Sequence, residues 1–191
     1  MTSTVHHDHL LTLDEWDALP DEDVYRKAEL VEGVLQMAPS AVSRHQRLAK
    51  RLATQLDAQL RAAGLESVAD VDVVLVAADP PTVRCPDLLV TTIARLDEGP
   101  KRFVAADIVL VVEIVSPGSR RVDRIMKLAD YADAGILNYW IVDIDDADGS
   151  VTLDAFRLAE GRYEPVLTTA TGTVTLDEPA AVTIDLAALV P

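Results

Sequence analysis

The sequence predicts an α/β domain in which a central sheet is flanked by helices, with core elements in the order helix, three strands, helix, strand. Three observations carry that expectation. Ile108–Val115 is an almost unbroken run of Val, Ile and Leu interrupted only by Glu113, the composition of a strand covered on both faces. Downstream, Val122, Ile125, Met126, Ala129 and Ala132 recur at helical spacing, and NYWIVD at 138–143 reads as another strand, so strand, helix and strand make a parallel crossover unit. Upstream, Leu48, Leu52, Leu56, Leu60 and Ala63 recur every three or four residues, the stripe of a long core helix.

Taken in order, residues 1–11 hold His6, His7 and His9 beside Asp8 with no element to fix them, and are expected to be a flexible N-terminus. Residues 12–191 are expected to form a single domain, since 191 residues with 49% hydrophobic content suit one core. Thr12 and Glu15 have the spacing of a capping box, so a short helix runs to Leu19 and stops at Pro20. Residues 27–37, KAELVEGVLQM, alternate around Glu32-Gly33 and predict a hairpin with Glu29 on or near a strand. The long helix starts at Ser40 and ends at Gly64.

Residues 66–78 and 83–92 predict two strands joined by a tight turn at Asp79-Pro80-Pro81. Pro86 marks an irregular spot in the second, with Asp87 beside it. Residues 96–102 read as a loop. After Val115, Ser116-Pro117-Gly118-Ser119 breaks the strand and offers a helix start, and Gly135 stands where a C-terminal cap belongs. An acidic turn at 145–149 leads into a hairpin of 151–158 and 162–167. It lacks the twelfth-position Glu of a calcium loop and reads as a solvated turn. The tail, 181–190, is expected to dock as a last short strand and turn.

The single cysteine, Cys85, excludes an internal disulfide framework and reads as a small buried hydrophobe. No apolar run approaches the ~20 residues of a membrane span, which with the lone cysteine predicts a soluble, cytoplasmic protein with no membrane partner. The net charge of −15 weighs against nucleic acid, but it is unevenly spread. Residues 1–32 carry 9 acids against 2 bases and residues 141–191 carry 10 against 2, while 33–140 hold 13 of each. Within the neutral middle, Arg44, Arg47, Lys50 and Arg51 cluster on one predicted helix and Arg120, Arg121, Arg124 and Lys127 on another. Each cluster is either a solvated helix face or a phosphate-facing surface. A neutral middle between acidic ends also predicts a homodimer.

Asp87 and Glu113 fall on adjoining strands. Two carboxylates brought together there raise each other's pKa unless a cation lies between them, and Mg²⁺ prefers one or two carboxylates plus waters and phosphate oxygens. Separate structural carboxylates, each satisfied locally, are the alternative.

Pro86-Asp87 followed by Glu113 in an apolar strand, inside the αβββαβ order, resembles the PD-(D/E)XK nuclease superfamily, the restriction-endonuclease-like fold. More narrowly, VVEIVSPGSRRVDRIMKLADYADAGILNYWIVD at 111–143, AELVEGVL at 28–35, Ser43-Arg44-His45-Gln46 and CPDLLV at 85–90 look like a bacterial endonuclease family formerly classed as a domain of unknown function. The resemblance spans roughly residues 12–168 and implies a restriction-endonuclease-like core with an N-terminal helix and hairpin and a C-terminal β-hairpin added. One departure stands out. The superfamily's simplest pattern places Lys two residues after the acid, where this chain has Val115; the family resembled supplies it from the following helix, and Lys127 is the matching position.

The resemblance implies a metal-dependent endonuclease acting on nucleic acid, DNA in the first instance. It gives Mg²⁺, replaceable by Mn²⁺, to Asp87, Glu113 and the backbone carbonyl of Ile114, and water activation to Lys127. Glu29 and His45 match family motif positions as further contacts to metal, water or substrate. Ser116 and Asp123 also match, but loop hydrogen bonding and pairing with Lys127 account for them. Tyr139 and Trp140 read as core aromatics, with base stacking as the other use. Two rivals remain: an interaction module that keeps the fold without cutting, and a hydrolase of a smaller phosphoester.

Overall fold

The structure is a computed structural model that describes residues 3–4, 9–20, 28–37, 43–115, 122–145 and 148–190, with only the backbone at 3–4 and 122–123. It opens with β1 (Ser3–Thr4) and α1 (Leu13–Asp17), where Thr12 and Glu15 form the reciprocal capping box that their spacing predicts. The hairpin of β2 (Ala28–Val31) and β3 (Val34–Met37) turns through Glu32 and Gly33, both at positive φ. A Cβ on Gly33 would stand 2.8 Å from that of Leu10, so the position needs glycine for space as well as for backbone freedom. Within residues 1–11, β1 pairs with β3, and the Leu11 N–H donates to the Gly33 carbonyl at 2.8 Å.

The long helix α2 (Ser43–Leu60) continues through a 3₁₀ turn at Arg61–Ala63 to Gly64, which takes the left-handed conformation of a C-terminal cap. The start expected at Ser40 lies outside the described residues. The two strands expected next are four: β4 (Leu65–Ala69), β5 (Val73–Val76), β6 (Thr82–Arg84) and β7 (Leu88–Thr92). Each expected strand breaks where it changes sheets. Asp70 at positive φ divides the first, and Pro86, which cannot donate to a ladder, divides the second. The loop expected after them begins instead with a short helix, α3 (Ile93–Asp97), capped by Thr92, and leads to β8 (Phe103–Val104).

β9 (Ile108–Val115) has the bounds that composition predicts. The crossover described after it is a π-helical turn, Val122–Lys127, running into α4 (Leu128–Asp133), and it returns to β10 (Asn138–Ile144), parallel to β9. β11 (Val151–Ala159) and β12 (Arg162–Ala170) form the expected hairpin. β13 (Thr173–Leu176), not foreseen, pairs with the tail strand β14 (Val182–Asp185).

Among the described residues the strands make a main sheet, β12-β11-β10-β9-β7-β4, a second sheet, β1-β3-β2-β6-β5-β8, and the small hairpin β13-β14. Leu110, Val112 and Ile114 on one face of β9 pack with Leu48, Leu52, Leu56 and Leu60 of α2. Val111 and Val115 on the other face pack with Tyr131 of α4, Tyr139 and the second sheet's Val73 and Phe103. This mixed α/β architecture is the expected class. Burying each of those leucines contributes roughly 1.5–3 kcal/mol, so the sheet is held rigid from both sides. The two-sheet corner formed by 70–72 and 85–87 lies at the end of β9, where Glu113 is.

Candidate active site

A carboxylate in a run of Val and Ile has to find a partner, since an unpaired buried charge is costly. Glu113, 2% exposed, finds two on the helix that follows it. Lys127 Nζ donates to Glu113 Oε1 at 2.9 Å, and the Tyr131 hydroxyl donates to the same oxygen at 2.7 Å. Lys127 and Tyr131 are four apart, one turn of the same helix face, which is why both reach one oxygen. Burial, then the charge of Glu113, pushes the Tyr131 phenol well above its ordinary pKa, so it remains a donor.

Lys127 is itself buried, and its ammonium also lies 3.1 Å from Glu29 Oε1 on β2. Glu29 is clamped further by Arg84, which donates to its Oε2 at 2.7 Å, and by the Cys85 N–H, which donates to Oε1 at 3.2 Å. Burial opposes the charge of Glu29, but Lys127 and Arg84 outweigh it and hold the carboxyl below its usual range. Arg84, 0% exposed, also pairs with Asp130 of α4, and its two acids keep it protonated against the penalty of burial. The result is a continuous network across β9, the π-helical turn, α4, β2 and β6 in which three carboxyl groups, the buried Glu29 and Glu113 and the partly exposed Asp130, face two buried basic side chains.

Asp87 and His45 form the adjoining part. Leu88 of β7 is opposite Val112, so carrying the register on by one residue sets Asp87 opposite Glu113. There the ladder ends, and Asp87 Oδ2 accepts the Ile114 N–H at 2.7 Å. His45, in the first turn of α2, places Nε2 2.9 Å from the Ile114 carbonyl oxygen and 3.1 Å from Asp87 Oδ2. Among the described residues no three His, Cys, Asp or Glu side chains form a ready metal cage. The oxygen set of Asp87, Glu113 and the Ile114 carbonyl is nonetheless hard and incomplete, which fits an ion that keeps waters for its remaining positions.

The structure thus brings Glu29, Glu113 and Lys127 into direct contact and links Asp87, His45 and Ile114 beside them. Arg84, Asp130 and Tyr131 join the network without having been singled out in the sequence. Arg84 carried a usable signal, a lone cation in TVRC between apolar strands, which is the argument already applied to Glu113. Ser116 and the side chain of Asp123 lie outside the described residues. Tyr139 and Trp140, 0% and 2% exposed, are core, so neither is available for base stacking. Two members of the basic clusters are engaged internally: Arg51 donates to the carbonyls of Ala188, Leu189 and Val190, and Arg124 bridges Asp143 and Asp154. Arg47 and Lys50 are exposed, and Arg120 and Arg121 lie outside the described residues. Burial, with Asp72 next, pushes the Cys85 thiol far up, so it stays protonated and inert. No helix among the described residues is long and apolar enough to cross a membrane.

Among solved structures, a protein from Anabaena variabilis described as "a putative nuclease belonging to DUF820" superposes with a TM-score of 0.71 over 94% of this chain and 97% of its own, at 18% identity. At that identity the likeness establishes the fold alone, a mixed α/β architecture of the expected class. No curated protein matches the chain. The sequence model of the Uma2 family, described as "Putative restriction endonuclease", matches residues 13–188, from the first helix to the last turn, and the chain therefore belongs to the Uma2 family.

Proposed function

We propose that the protein is a metal-dependent endonuclease that hydrolyses phosphodiester bonds of DNA, acting as a homodimer in the cytoplasm. The observation that carries this reading is the buried Lys127 ammonium within hydrogen-bond reach of both Glu113 and Glu29. A lysine taken out of water and aimed at a strand-end acid has a large desolvation cost that packing alone does not require.

Asp87, Glu113 and the Ile114 carbonyl would hold Mg²⁺, with Mn²⁺ able to replace it, and the bound ion would polarise the phosphate and lower the pKa of water. Lys127, as an ammonium, orients the attacking water and sets positive charge beside the phosphate oxygens as negative charge builds on them. Glu29, fixed by Arg84, keeps the ammonium aimed. Tyr131 fixes the plane of the Glu113 carboxylate. His45 borders Asp87 at the open side of the pocket. Family membership supports a nuclease.

The test is cleavage of supercoiled plasmid in Mg²⁺ by the full chain and by E113A and K127M. Each substitution is expected to lower the rate by at least about 100-fold, the scale of losing one group that stabilises transition-state charge. Undiminished cleavage by E113A would trace the activity to a contaminant. One observation favours the interaction-module reading: the net charge of −15 opposes approach of a polyanion, and Arg51 and Arg124 are bonded within the protein. Duplex binding without cutting, unaffected by E113A, would support that alternative.

A further inference from the structure

His45 has a geometry that a metal ligand would not need. Its Nε2 faces two oxygens at once, the Ile114 carbonyl at 2.9 Å and Asp87 Oδ2 at 3.1 Å. A carbonyl oxygen can only accept, so Nε2 carries the proton and meets the pair as a donor, with no lone pair turned towards them. Asp87 Oδ2 also takes the Ile114 N–H at 2.7 Å, which fixes this oxygen beside the carbonyl. These are two of the three oxygens assigned above to the cation, and the point they share is held by an N–H.

We propose that His45 is a built-in placeholder for the metal: its imidazole N–H satisfies Asp87 and the Ile114 carbonyl until a divalent cation takes that seat, and the ring then leaves it. The inference rests on the metal-dependent reading of the site. Without the imidazole the Ile114 carbonyl would lose this donor and Asp87 Oδ2 would keep only the Ile114 N–H, a loss that the His45 N–H prevents. The His45 and Asp87 side chains are 13% and 21% exposed, so the pair lies near solvent. His45 is also on α2, whose leucine stripe anchors the helix independently of the ring, so the imidazole can move without the helix moving. The consequence is a binding threshold: an ion has to displace two hydrogen bonds before it is held.

Mn²⁺ binding to the full chain, read by loss of the free-ion electron paramagnetic resonance signal, tests this in wild type, H45A and E113Q. H45A is expected to bind Mn²⁺ roughly ten-fold tighter than wild type, the equivalent of removing one or two net hydrogen bonds, and E113Q weaker. Equal affinity of wild type and H45A, with E113Q weaker, would overturn the placeholder and keep the metal site. Weaker binding by H45A would make His45 a ligand and overturn it too. No saturable Mn²⁺ on any of the three would remove the metal reading itself, and this inference with it. Should H45A fail to fold, the imidazole ¹⁵N spectrum of wild type decides: saturating Mg²⁺ is expected to move Nε2 of His45 to the shift of a solvated ring, and an unmoved resonance would overturn the exchange.

Discussion

Arg84 organises the network of buried charges from its edge. It ties Glu29 on β2 to Asp130 on α4, and Asp130 is three residues from Lys127, so the arginine sets where the crossover helix lies on the sheet. Removing one partner of a buried pair leaves an uncompensated charge, so R84M is expected to lower stability by about 3–5 kcal/mol in denaturant unfolding. A loss below about 1 kcal/mol would mean that Glu29 and Asp130 are satisfied some other way. Asp72 has the opposite character. Burial, then the charge of Glu29, raises its carboxyl from 3.8 to about 6. The folded protein therefore binds more protons than the unfolded chain between about pH 4 and pH 6, so this group favours folding fully below that window and loses its effect as pH rises through 6. D72N, which keeps an acceptor for the Trp16 indole, is expected to raise the urea midpoint at pH 7 and leave it unchanged at pH 4. At this scale the sequence was readable where a charge interrupts an apolar run, as at Glu113. Asp72 and Asp130 gave no such signal, because their surroundings are assembled from residues far away in the chain.

Elements with a strong period were legible and those at the sheet corner were not. The leucine stripe of α2 and the Val-rich run of β9 each declare their burial along the chain, and both were located within a few residues. L56A, at a side chain 0% exposed, is expected to cost about 2–5 kcal/mol, read as a lowered urea midpoint. A change under about 1 kcal/mol would show that α2 is not packed on the sheet as described. The strand pairs β4–β5 and β6–β7 each looked like one strand because composition carries no mark of which sheet a strand joins. Pro86 did mark the break, and the break is where Asp87 leaves the ladder to bond Ile114. β13 was missed because TVTL is short and its partner follows a proline-containing turn. The π-helical turn, Val122–Lys127, shifts the phase of the helix, so Ile125 and Met126, read from their spacing as part of the apolar stripe, are exposed while Lys127 is buried.

For the whole molecule, two facts pull against each other: a restriction-endonuclease-like fold with a buried acid and lysine pocket, and a strongly negative chain. If DNA is the substrate, binding must come from a restricted surface, and its affinity is expected to fall steeply as salt rises. A flat salt response would favour a smaller phosphoester. Sedimentation is expected to show a dimer, and a monomer at every concentration would contradict the homodimer. The most direct measurement is a crystal soaked in Mn²⁺ with anomalous diffraction. The expected result is one ion about 2.1 Å from oxygens of Asp87 and Glu113 and from the Ile114 carbonyl, with Lys127 beside it. Well-ordered crystals saturated with Mn²⁺ that show no ion at those three oxygens would contradict a metal-dependent nuclease centred on this pocket.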